Sequence, residues 1–168
     1  GNIATSWRDA KVFRNHVFIG SEATNHGMQV FDLTRLRGLG EDQNRRFDND
    51  AFYNEFGSSH NIVINEASGF LYAVGTKTCA GGLHMVDIRD PADPQFAGCY
   101  SEDGYTHDSE CVIYSGPDAR YTDHEICFNY NEDTLTIVDV THKDEIHLLA
   151  RHGYEGSAYT HQGWLNAA

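Results

Sequence analysis

"DTLTIVDVTHK", residues 133–143, decides the fold, because its pattern occurs twice earlier in the chain. "HGMQVFDLTRL" (26–36) and "GGLHMVDIRDP" (81–91) share a small or polar start, four mostly apolar positions and an Asp. An apolar residue and a polar turn then follow. The shared aspartates are Asp32, Asp87 and Asp139. Ahead of each copy lies a short apolar run: "HVFIGSEA" (16–23), "FLYAVGTK" (70–77) and "EICFNYN" (125–131). One step further back come "WRDAKVF" (7–13), "HNIVINE" (60–66) and "SECVIYS" (109–115). Turn-forming clusters such as "NEASG", "GPDARYTD" and "DPADP" separate the runs.

The unit therefore reads as three successive strands, with a fourth in the second and third units at "PQFAGCY" (94–100) and "IHLLARHGY" (146–154). Only "DLTRLRGLGEDQNRR" (32–46) hints at a helix, and its glycines cut it short. Short strands in repeats of about 40–55 residues indicate an all-β fold of β-propeller blades, with a β-sandwich as the alternative. The blades run approximately 7–57, 58–105 and 106–159, with the start of a further blade at 160–168. About three and a half blades are fewer than the 4–8 that usually close a ring. The expectation is a segment of a longer propeller, or a chain whose neighbours complete the ring.

Composition narrows the function classes. The 25 acidic residues exceed the 12 Lys and Arg, for a formal net charge of −13, which disfavours nucleic acid and anionic membrane surfaces. No apolar run approaches the ~20 residues of a membrane-spanning helix, so direct membrane insertion is not expected. "GNIATSWRDAKVF" lacks the basic and apolar regions of a signal peptide, although a mature secreted chain would also lack them.

The cysteines Cys79, Cys99, Cys111 and Cys127 include no C-x-x-C pair. Cys111 and Cys127 fall on adjacent strands of one blade, while Cys79 and Cys99 fall near strand ends of the preceding one. Of three connectivities, Cys79–Cys99 and Cys111–Cys127 are the natural choice, with four reduced core thiols as the alternative. Closing the second loop would stabilise the fold by roughly 3 kcal/mol. Such bridges imply an extracellular, cell-surface or periplasmic setting.

The run from His60 to Trp164, including "GYTHDSECVIYSGPDARYTDHEICFNYNEDTLTIVDVT" and "YTHQGW", resembles the choice-of-anchor B family of secreted bacterial proteins. These carry LVIVD-type repeats that look like propeller blades, and "LTIVDV" (135–140) is the nearest copy here. The resemblance covers nearly the whole chain. It implies export and surface attachment, and it carries no established reaction.

Three of the 10 histidines stand at matching places before an inner strand: His60 in "SSHNIVI", His107 in "YTHDSEC" and His161 in "YTHQGWL". The first blade offers Arg8 and Asp9 there instead. In a propeller these positions converge on one mouth of the channel. Three imidazoles with Asp108 or Glu110 nearby could bind Zn²⁺, Cu²⁺ or Fe²⁺ and run hydrolysis or redox chemistry. They could equally be structural or water-binding, or serve metal-free acid–base chemistry. Strand alternation sets His107, Ser109 and Cys111 on one face and Asp108 and Glu110 on the other, so all five cannot meet one ion.

The acidic loops at 48–52, 90–94 and 101–105 are a weaker Ca²⁺ option, since none has EF-hand spacing. The repeated aspartates read as acceptors for turn amides, and Trp7 and Trp164 as packing residues. Two functions follow. The first is a binding or scaffold module for a protein or surface partner. The second is a metal-dependent hydrolase or oxidoreductase.

Overall fold

The computed structural model describes residues 3–40 and 45–166, and they form an almost purely β structure of three four-stranded antiparallel sheets. Sheet I contains β1 (Arg8–Phe13), β2 (His16–Ser21), β3 (Met28–Asp32) and β4 (Ala51–Tyr53), in that order. Sheet II runs through β5 (Asn61–Asn65), β6 (Phe70–Val74), β7 (Leu83–Asp87) and β8 (Gln95–Tyr100). Sheet III contains β9 (Asp108–Ile113), β10 (Glu125–Asn131), β11 (Thr134–Asp139) and β12 (His147–His152). Each sheet is a meander, and among the described residues no sheet closes on itself.

Local chemistry explains the meanders. Arg14 and Asn15, both at positive φ, make the two-residue turn that brings Phe13 opposite His16. Gly69, at φ +76°, closes the β5–β6 turn by donating its amide to the Asn65 carbonyl at 2.9 Å. The repeated aspartates bind turn amides two residues on: Asp32 that of Thr34 at 2.8 Å, Asp87 that of Arg89 at 3.0 Å and Asp139 that of Thr141 at 2.9 Å. These bonds end β3, β7 and β11 at equivalent places.

Sheet I has a fourth strand that its sequence did not announce. The three residues Ala51–Tyr53 pair with Met28–Val30 across a long excursion, too short a run to show alternation. Within the 32–46 stretch, Leu33–Leu36 form a single 3-10 turn rather than a helix, and residues 41–44 lie outside the described residues. Cys79 sits in a 3-10 turn beyond β6, not at its end.

Packing follows side-chain alternation in the middle sheet, whose β6 is buried on both sides. Leu71 and Ala73 join Phe18, Met28 and Val30 of sheet I in one core, whereas Tyr72 and Val74 join Cys127 and Val138 of sheet III in another. The first strands β1, β5 and β9 approach one another between sheets, and β2 also meets β5. Val12 and Phe52 of sheet I, and Ile113 and Leu148 of sheet III, remain exposed on the outer sheets.

A buried carboxylate ties sheet II to sheet III. Glu125, at the start of β10, accepts at 2.6 Å from Asn65 Nδ2, Ser68 Oγ and Tyr72 OH, and pairs with Lys143 Nζ at 2.7 Å. Lys143 also donates to the Val140 carbonyl and lies 4.2 Å from the Phe70 ring centre. Nearly every polar valence of this buried group is thus used. Asp103, in the loop after β8, similarly holds Asn131, Thr136 and Arg151 of sheet III. Disulfides Cys79–Cys99 and Cys111–Cys127 lie within sheets II and III respectively.

Candidate functional site

The structure gathers the three equivalent histidines into one row. His60 and His107 precede β5 and β9 and make the same backbone bond. His60 N–H donates to the Val74 carbonyl and His107 N–H to that of Tyr130, each at 2.9 Å, from matching places on the second strand. Their ring centres are 4.2 Å apart and tilted by 56°, and His161 stands 3.9 Å beyond His107 at 45°. His107 is buried, His60 half-buried and His161 exposed.

Each of the first two rings is anchored through Nδ1. His60 Nδ1 lies 2.5 Å from Glu22 Oε1, just after β2, and His107 Nδ1 lies 2.8 Å from the His161 carbonyl. Burial pushes the His107 imidazole below its ordinary value, and charge on His60 would push the same way. His107 is therefore held neutral near pH 7.

Aromatic rings frame the row. Trp7 lies 5.6 Å from His60, Tyr105 6.4 Å from His60, and Tyr159 5.4 Å from His107. Trp7 and Trp164 are 58% and 77% exposed, so neither is the packing residue expected from sequence. The Tyr159 hydroxyl donates to Glu132 at 2.9 Å. Tyr105 and Tyr159 stand two residues before a row histidine, a "Y-T-H" step visible in the sequence. Glu22 carries no such signal, because its partner is 38 residues away.

Asp108 and Glu110 point elsewhere. They line a neighbouring cleft of about 570 Å³ along the first strands, with Asp9, Lys11, Asn61 and Gln162. Alternation along β9 is the reason: Ser109 and Cys111 are buried while Asp108 and Glu110 are half-buried. Asp108 Oδ1 accepts the Ser109 amide at 2.9 Å, and burial raises the pKa of its carboxyl. Glu110 Oε2 accepts the Leu165 amide at 2.6 Å.

In the acidic loops, Asp50 pairs with Arg35, Asp90 binds the Ala92 amide, and Asp93 binds Gln95. Among the described residues no three His, Cys, Asp or Glu side chains are arranged to hold a metal ion. The described residues also include no helix long and apolar enough to cross a membrane. No family model and no curated protein matches the chain.

Proposed function

We propose that this chain is part of a secreted or surface-attached β-propeller of the LVIVD-repeat, choice-of-anchor B kind. It acts as a binding or scaffold module for a protein or surface partner. Three sheets of one strand order, stacked face to face with their first strands together, support the propeller reading. The apolar residues left on the outer sheets suit further sheets of the same kind, whether on one polypeptide or on neighbouring chains. The two disulfides suit an oxidising location outside the cytoplasm.

The row of rings at one end of the first strands carries the binding reading. Exposed Trp7 and Tyr159, flanking the row of imidazoles, give an amphipathic platform of the sort that recognition surfaces use. The test is binding of the chelator-treated protein to arrays of surface glycans and extracellular peptides, repeated with Trp7→Ala/Tyr159→Ala. Both residues are exposed, so the variant should fold. Selective binding that falls about tenfold or more supports the module, since such anchors carry most of an interface's energy. Binding indifferent to both substitutions removes this end as the recognition surface. A turnover that requires metal and vanishes in His107→Ala would instead install the hydrolase or oxidoreductase reading.

A further inference from the structure

The anchoring of His60 and His107 fixes which nitrogen each ring offers. Carboxylate and carbonyl oxygens only accept hydrogen bonds, so both Nδ1 atoms carry a proton and the lone pair of each neutral ring falls on Nε2. Among the described residues neither Nε2 makes a hydrogen bond, and neither is a sealed-off buried atom. A carboxylate or carbonyl on the far nitrogen is how proteins orient imidazoles that ligate metals.

The row is packed more closely than a loaded site would be, so taking up an ion would part the rings. An ion held through Nε2 at about 2.0–2.1 Å sits about 3.2 Å from each ring centre, so two ligating rings have centres roughly 4.5–5.2 Å apart. The observed 4.2 and 3.9 Å fall short by about an ångström or less in most geometries, and the rings are tilted rather than stacked parallel. Among the described residues no three donors converge in this packed row. His161 is exposed. Glu22 beside the row, on a chain of net charge −13, favours a cation.

We propose that the row takes up one divalent ion of the zinc–copper class, through Nε2 of His60 and His107. His161 turns its ring to supply a third nitrogen, leaving a position open for a donor from a partner. This rests on the reading of this end as the recognition surface and names its ligand chemistry. Imidazole donors select such ions over Ca²⁺ and Mg²⁺.

The test strips the intact, disulfide-bonded chain with chelator and titrates it with Zn²⁺ by calorimetry and Co²⁺ by visible absorption. Expected is saturable one-to-one binding with a cobalt d–d band, and no heat from Ca²⁺. His107→Ala and His161→Ala should each weaken it about tenfold or more, and Glu22→Gln by about 10–100-fold with an unchanged thermal midpoint. Should His107→Ala fail to fold, the exposed His161→Ala decides alone. No saturable binding, or binding that survives His161→Ala unchanged, overturns the proposal. Array recognition by metal-free protein alongside a failed titration overturns the metal inference and keeps the module. Metal binding with no array recognition by either the metal-free or the metal-loaded protein does the reverse.

Discussion

The two seams between sheets are built from the same strand order but different chemistry. The I–II seam is mainly apolar, with Phe18, Met28, Val30 and Phe56 meeting Ile62, Leu71 and Val86. The II–III seam combines an apolar layer with the buried Glu125–Lys143 pair and its satellites Asn65, Ser68 and Tyr72. Apolar burial is nondirectional and tolerates small slips, whereas a carboxylate with four committed partners fixes one registry. The repeat thus specifies that sheets stack, and individual polar residues specify how.

The largest effect should come from cutting the polar seam. Glu125→Ala strands the Lys143 ammonium in a buried site and should lower unfolding free energy by about 3–5 kcal/mol in a urea titration. Glu125→Gln, which keeps an acceptor for Tyr72, should cost less. An equal loss from both would mean that the ion pair, not the hydrogen bonds, sets the seam. On the apolar side, Met28→Ala should cost about 3 kcal/mol through the cavity it leaves. A loss under about 1 kcal/mol would show that the I–II seam collapses around the gap.

Replacing Cys111 and Cys127 by Ser should cost roughly 3 kcal/mol, measured as a lowered urea midpoint under oxidising conditions. Acid should act on the I–II seam first. His84 packs there against Tyr53 and Phe56, bonds to Tyr53 OH at 2.8 Å, and is pushed by burial to about 4. The unfolded chain takes up that proton near pH 6.5 while the native state refuses it. Stability from this group is therefore complete above about 6.5, falls as pH drops towards about 4, and totals on the order of 2 kcal/mol. His84→Gln should flatten this part of the pH–stability curve, and an unaltered slope would sink the assignment. Smallest of all, Arg120→Ala removes a solvent-facing guanidinium from its pair with half-buried Asp118 and should leave the urea midpoint where it was.

Much of the fold was legible because a repeat is a long-range signal written in local pattern. The three Asp-bearing copies placed β3, β7 and β11, and alternation in "HDSEC" separated His107 from Asp108 and Glu110. The strand Ala51–Tyr53 was not legible, since three residues after a long excursion show no period. Nor was the role of Glu125, which looks like an ordinary polar strand opening until Asn65 and Tyr72 of another sheet arrive beside it. At the candidate site, equivalence in the repeat pointed to His60, His107 and His161, while Glu22 came from outside the pattern.

Both disulfides lie in sheets II and III, and sheet I has none. If the chain is pulled from its two ends, the cross-links decide what can lengthen. The loops closed by Cys79–Cys99 and Cys111–Cys127 span 20 and 16 residues and cannot pay out. At about 3.4 Å per residue they withhold on the order of 120 Å of extension. Sheet I can then lengthen in full, whereas sheets II and III each carry one inextensible knot among strands held by ordinary hydrogen bonds.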